Sequence, residues 1–187
     1  MTIWEAIVLG LIQGLTEFLP VSSSGHLELA NYLFGIEEPS NLQFTMALHA
    51  GTVLSTLVVF WREILRLFRG LFKFRMNEET IFCINILISL VPIVFVGLFF
   101  LDHIEGLLTR NIRLVGAMLL VTAALLTFSY YAKPRQLKIT PKSAFILGLS
   151  QAVAIFPGLS RSGTTSSTGL MLGVKKEEVS KFSFLMV

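Results

Sequence analysis

Two short stretches carry polar groups that an otherwise apolar chain has no packing reason to keep. Residues 13–26 read QGLTEFLPVSSSGH and residues 157–163 read PGLSRSG. In the first, Gln13 and Glu17 are four apart and therefore share one helix face. Glu17 suits a divalent cation completed by substrate oxygens and water, or a general base. The structural alternative is a buried carboxyl that stays neutral. Ser23 and His26, three apart after Pro20, stack on one face of a following helix. A hydroxyl beside an imidazole is the minimum for assisted nucleophilic attack. Ser22 and Ser24 compete for that role, and each serine also suits the cap of a helix restarting after a break, Ser22 above all.

In the second stretch Arg161 is the informative residue. An arginine between two apolar half-helices is costly unless paired or hydrated, and its planar fork matches phosphate oxygens bidentately. It pairs with phosphate, with Glu17 as a structural ion pair, or with each in turn. Ser160, Ser162, Thr164 and Thr165 are short donors that either bind phosphate or pack helices as small residues do in membranes. His49, mid-run in ALHAGT, suits a role near the site and a plain interhelical hydrogen bond equally well.

The elements that must position these groups belong to a membrane protein. The chain of 187 residues is 53% hydrophobic and 14% charged, with 16 Phe against 15 Lys and Arg together. Soluble domains are usually about a quarter charged. One cysteine, Cys83, excludes a disulfide framework or a thiolate metal site. A net charge of +3 with no basic, aromatic-rich face points away from nucleic acid. The N-terminus lacks the basic region and small-residue cleavage site of a removable signal peptide.

Runs 42–61, 80–101 and 112–131 are each long enough to cross a bilayer. Segments 3–35 and 142–174 are apolar but interrupted by Pro, Gly and Ser, a pattern tolerated at membrane depth only where loose backbone is buried in protein or lines a watery cavity. Both are expected as re-entrant helical hairpins. Basic loops at 62–75 (Arg62, Arg66, Arg69, Lys73, Arg75) and 133–142 (Lys133, Arg135, Lys138, Lys142) fall on the cytoplasmic side by the positive-inside rule. The acidic pair Glu37 and Glu38 marks the outer exit of the first hairpin. Glu28, Asp102, His103 and Glu105 are expected at the interface, with Trp4, Trp61, Tyr130 and Tyr131 as aromatic anchors.

The two interrupted segments also resemble each other. AIVLGLIQ (6–13) and AFILGLSQ (144–151) agree at five of eight positions with an offset of 138, which also aligns SSSG (22–25) with SRSG (160–163). Three crossings lie between the copies, so the second is expected upside down. Inverted repeats with discontinuous helices place their site near the midplane, at the repeat interface. Two half-helix N-termini meeting there present free N–H groups and positive dipole ends, an environment made for phosphate. The expected fold is an all-α polytopic membrane protein, a single membrane domain over 1–187. It holds an inverted-topology repeat (about 3–61, and about 142–187 cut short), two re-entrant hairpins and further transmembrane helices.

QGLTEFLPVSSSGH and PGLSRSG resemble the two signature motifs of bacterial undecaprenyl-diphosphate phosphatases of the bacitracin-resistance type. Both motifs are long and rare, and the resemblance runs along essentially the whole chain, through FSFLM near its end. It implies removal of the terminal phosphate of undecaprenyl diphosphate in the plasma membrane, at a site facing outward, helped by Mg²⁺ or Ca²⁺. It carries catalytic roles onto Glu17, Ser23, His26 and Arg161, with Glu17 at the metal. Gln13, Ser22, Ser160, Ser162 and Thr165 become substrate contacts. Gln13 stands where many members have Glu, which weakens schemes needing two carboxylates. Family members are longer, so the chain is expected to stop early in a further span. The partners implied are a polyprenyl diphosphate lipid and the bilayer, with a homodimer as an open assembly state. A lipid transporter without hydrolase activity is the rival from another class, since inverted repeats are commonest there.

Overall fold

The computed structural model describes residues 2–36, 42–108, 111–133 and 135–186, with backbone only at 42 and 101–108. Glu37 and Glu38 lie outside the described residues, as do the side chains of Asp102, His103 and Glu105. The described residues are helical almost throughout: α1 (Ile3–Phe18), α2 (Ser23–Phe34), α3 (Leu42–Val59), α4 (Trp61–Leu71), α5 (Glu78–Leu108), α6 (Ile112–Tyr130), α7 (Pro141–Val153), α8 (Arg161–Met171) and α9 (Lys176–Met186). They contain no strand beyond an isolated bridge between Leu137 and Val174, which ties the loop after α6 to the turn between α8 and α9.

Two helices, over Glu78–Phe100 and Ile112–Tyr130, are long and apolar enough to cross a membrane, with only 17% and 11% of their most apolar windows buried. Leu87, Leu98, Phe99 and Leu120 point outward. Water would penalise so much exposed apolar surface, whereas lipid does not. The protein is a multi-pass membrane protein. Trp4, Trp61, Tyr130 and Tyr131 are exposed at helix ends, as interfacial anchors are.

The run at 42–61 is not one straight span followed by a loop. Helix α3 ends at Val59, Phe60 leaves the helical region at φ −93° and ψ 11°, and α4 departs at 70° to α3. The stretch expected as the basic loop 62–75 is helical as far as Leu71 because its apolar residues recur with helical spacing. Ile64, Leu67, Phe68 and Leu71 line a cavity, while Arg62, Arg66 and Arg69 are exposed. An ion-pair set fixes this helix: Glu63 pairs with Arg66 at 2.7 Å and with Lys181 of α9.

Helix α7 packs closely along α5. Thr140 caps α7 and Pro141 opens it, a favourable start for a helix. Midway, a Cβ on Gly148 would lie 2.1 Å from the Ser89 carbonyl oxygen of α5, so only glycine fits without moving backbone. Gly148→Ala is expected to destabilise by about 2 kcal/mol through overpacking, lowering Tm by roughly 5 °C. Thermal unfolding in detergent checks this, and an unchanged Tm would mean the two helices do not touch here. The main core lies beside the crossing, where Leu147, Val179, Phe182 and Met186 pack on Phe82 and Ile86.

Helix α8, RSGTTSSTGLM, has little apolar character and yet Gly163, Thr164, Thr165, Ser167 and Gly169 are buried. Small residues let backbones approach, and hydroxyls bind across the interfaces. Ser167 donates to Ser129 of α6 at 3.3 Å, and the Thr165 and Ser183 hydroxyls meet at 2.6 Å.

Candidate active site

Both interrupted segments restart the same way. Helix α1 stops at Phe18 because Pro20 forces Leu19 to extended backbone, at φ −87° and ψ 144°. Ser22 then takes φ 68°, unusual for a residue with a Cβ, and caps α2 by accepting the Gly25 N–H at 3.3 Å. After Pro157 and Gly158, Ser160 caps α8 by accepting the Gly163 N–H at 3.0 Å. In each cap the serine hydroxyl meets that of the serine two residues on, Ser22 with Ser24 at 3.3 Å and Ser160 with Ser162 at 3.4 Å. Helices α1 and α7 begin 138 residues apart, as do α2 and α8.

The two tips touch reciprocally. A Cβ on Gly25 would fall 2.8 Å from Gly158 Cα, and one on Gly163 would fall 2.7 Å from the Pro20 carbonyl oxygen. Each glycine at the start of a half-helix therefore sits against the break of the other segment. A helix start leaves its first N–H groups without intrahelical partners. The residues that open the two helices here, Ser23 and Ser24, and Arg161 and Ser162, line one cavity of about 630 Å³. Apolar side chains including Val53, Leu57, Ile64, Phe68 and Ile93 form much of its wall.

Glu17 is a carboxylate at the cavity and already holds two donors. Gln13 Nε2 donates to Glu17 Oε2 at 2.9 Å, and the Ser23 hydroxyl donates to the same oxygen. Gln13 itself is 1% exposed and is not among the residues lining the cavity; its amide meets the site through Glu17. Ser23 thus pairs with Glu17, where its helical spacing from His26 had suggested the imidazole. The reason is the chain reversal at Pro20, which swings the start of α2 back over the end of α1. His26 donates from Nδ1 to the Ser22 carbonyl at 2.8 Å. It supports the strained Ser22 and is absent from the cavity lining.

Arg161 lines the cavity and, among the described residues, makes no ion pair; the alternative of a resting pair with Glu17 is not formed. Ser22, Ser160 and Ser162 line the cavity with it. Thr165 does not. Its hydroxyl donates to the Arg161 carbonyl at 2.8 Å and meets that of Ser183, between α8 and α9. Thr164 is buried with no partner on its hydroxyl among the described residues. His49 does reach the cavity, with Nδ1 on its own helix at Thr45 O, 2.9 Å away. The wall supplied by α4 was invisible in the sequence because those residues looked like a loop. Thr52 and Thr56, also lining it, carry no motif that would have singled them out.

For a metal, no three His, Cys, Asp or Glu come together among the described residues. Glu17, with Oε2 engaged, has Oε1 to offer. That fits a hard divalent cation drawing most of its oxygens from a phosphorylated ligand and water, and it does not fit an all-protein cage.

The chain is 61% identical over 185 residues to an undecaprenyl-diphosphatase of Bacteroides fragilis, covering 98% of this chain and 70% of that protein. It is 60% identical over 188 aligned positions to one of Parabacteroides distasonis (100% and 71%). To one of Christiangramia forsetii it is 54% identical over 190 aligned positions (100% and 72%). The family model described as bacitracin resistance protein BacA matches residues 6–187, and this chain, with two capped half-helix tips around Arg161 and Glu17, belongs to that family.

Proposed function

We propose that the protein removes the terminal phosphate of undecaprenyl diphosphate, releasing inorganic phosphate and the monophosphate lipid carrier, and so recycles that carrier for cell-wall synthesis. The observation that carries this reading is Arg161. It is a guanidinium with no ion-pair partner among the described residues, at the junction of two helix N-termini in a cavity whose remaining wall is largely apolar. Such a site suits a phosphorylated head on a hydrocarbon tail. An arginine beside so much apolar wall is costly unless an anion or water attends it.

The chemistry follows from the pairing of Ser23 with Glu17. Phosphoryl transfer asks the protein to position the phosphate and neutralise developing charge. Arg161 and the N–H groups of both tips hold the terminal phosphate. Ser23 Oγ attacks its phosphorus, the hydroxyl proton passes to Glu17 Oε2, and the bond to the bridging oxygen breaks. The lipid monophosphate departs with that electron pair and takes the proton. Water then attacks the phosphoserine, Glu17 accepts its proton and returns it to Ser23 Oγ as inorganic phosphate leaves. Glu17 would hold a Mg²⁺ or Ca²⁺, which when bound would supply neutralisation of the negative charge that develops on phosphate oxygens.

The matching helix starts, matching serine caps and reciprocal glycine contacts support an inverted repeat of two re-entrant hairpins. Exposed Arg62, Arg66 and Arg69 on α4 and Lys133 and Arg135 after α6 support a cytoplasmic placement of those ends in the plasma membrane. The family motifs then imply a site open to the outer face. Phosphate release from undecaprenyl diphosphate by the detergent-solubilised protein tests the function. Steady turnover is expected; lipid movement in vesicles without phosphate release would replace this reading with the transporter.

A further inference from the structure

Helix α6 crosses the fold with most of its surface outward, yet Val115, Thr122 and Ser129, spaced seven apart, form one buried stripe. Ser129 takes the Ser167 hydroxyl, and the Val115 carbonyl oxygen lies 2.4 Å from where a Cβ on Gly158 would stand. Thr122, 2% exposed, does more. Its Oγ1 donates to the Gly158 carbonyl at 2.9 Å and accepts the Ser160 N–H at 3.0 Å, with the Met118 carbonyl of its own helix at 3.1 Å. One hydroxyl thus binds two backbone groups of the buried Gly158–Leu159–Ser160 turn. That turn ends in the cap of α8, and the next residue is Arg161.

We propose that Thr122 is a positioning residue for phosphate transfer: it clamps the α7–α8 turn so that Ser160 and Arg161 meet the phosphate at a fixed angle. The sequence held one faint sign of it, hydroxyls at 122 and 129 in the apolar run VTAALLTFS. The physical need is plain. The turn contains Gly158 at φ +92° and its three residues are buried, so a backbone group left unpaired there is costly. Without the clamp the turn gains freedom, and a donor misplaced by about an ångström forfeits much of its effect on the transition state.

The inference rests on the phosphatase reading, and the test separates the two. Phosphate release from undecaprenyl diphosphate is measured for wild type, Thr122→Val and Thr122→Ser in the intact protein, and for the first two again with Arg161→Lys. No release by the wild type would overturn the phosphatase reading. Given wild-type turnover, Thr122→Val is expected to lower kcat at least about tenfold, and Thr122→Ser, which keeps the hydroxyl, to stay within about threefold. A residue needed only for folding would scale the active fraction equally in both backgrounds. A clamp acting through Arg161 should lose most of its effect once Arg161→Lys has removed the fork. Normal kcat in Thr122→Val, a serine variant as poor as valine, or equal losses in both backgrounds would each overturn the clamp. Should the valine variant not insert, Thr122→Cys provides a weaker donor of similar shape. Its kcat is expected between serine and wild-type values on one side and a tenfold loss on the other, and wild-type kcat would sink the proposal.

Discussion

Arg161→Ala should lower phosphate release by at least about two orders of magnitude, the scale seen when a preorganised charge-stabilising donor is removed from a transition state. It should do so without loss of stability. Among the described residues Arg161 has no ion-pair partner to strand, and it borders a largely apolar cavity, so truncation relieves a burial cost. The expected result is therefore an inactive protein whose Tm is equal to or above that of the wild type. A structural arginine would behave in the opposite way, with lowered Tm and near-normal turnover in the folded fraction, and that outcome would remove the main support for the proposed function. Arg161→Lys keeps the charge but not the bidentate fork and should fall between the two.

The second large effect is shared by Glu17 and Ser23. If the Ser23 hydroxyl is delivered to phosphorus with Glu17 as the acceptor of its proton, Glu17→Gln and Ser23→Ala should each cost on the order of 10³ in kcat. The double variant should then be scarcely worse than either one, because residues acting as a unit are grossly non-additive. A rapid-quench experiment should trap phosphate on Ser23 in the wild type and not in Ser23→Ala. Fully additive losses, or Ser23→Ala with most of its activity and no trapped intermediate, would instead assign the attack to water activated at Glu17. Gln13→Ala provides a milder companion: Gln13 reaches the site only through its 2.9 Å bond to Glu17, so its loss should be smaller than that of Glu17→Gln and should vanish in that background.

The placement of His26 shows why spacing on a helix was an incomplete guide. Ser23 and His26 do share α2, but the chain folds back at Pro20 and brings Glu17 to the serine first. Spacing within one element is local information; which element arrives opposite is not. Thr165 carries the same lesson, since one turn past Arg161 its hydroxyl faces Ser183 of α9 and turns away from the cavity.

The amino-acid sequence by itself determined the membrane class, the two helix breaks and the serine caps that follow them. These depend on composition, proline and glycine backbone preferences and side-chain hydrogen bonds within four residues, all short-range. It also marked Arg161 and Glu17, because isolated charges in an apolar chain are too costly to be idle. Only the tertiary structure decided that Ser23 pairs with Glu17, that α4 bends to wall the cavity, and that Thr122 of α6 holds the turn before Arg161. Each of these joins separate elements; the turn that Thr122 holds lies where they approach closely at Gly25, Gly158 and Gly163, and the geometry of such contacts is a property of two surfaces together, which no single stretch of chain encodes.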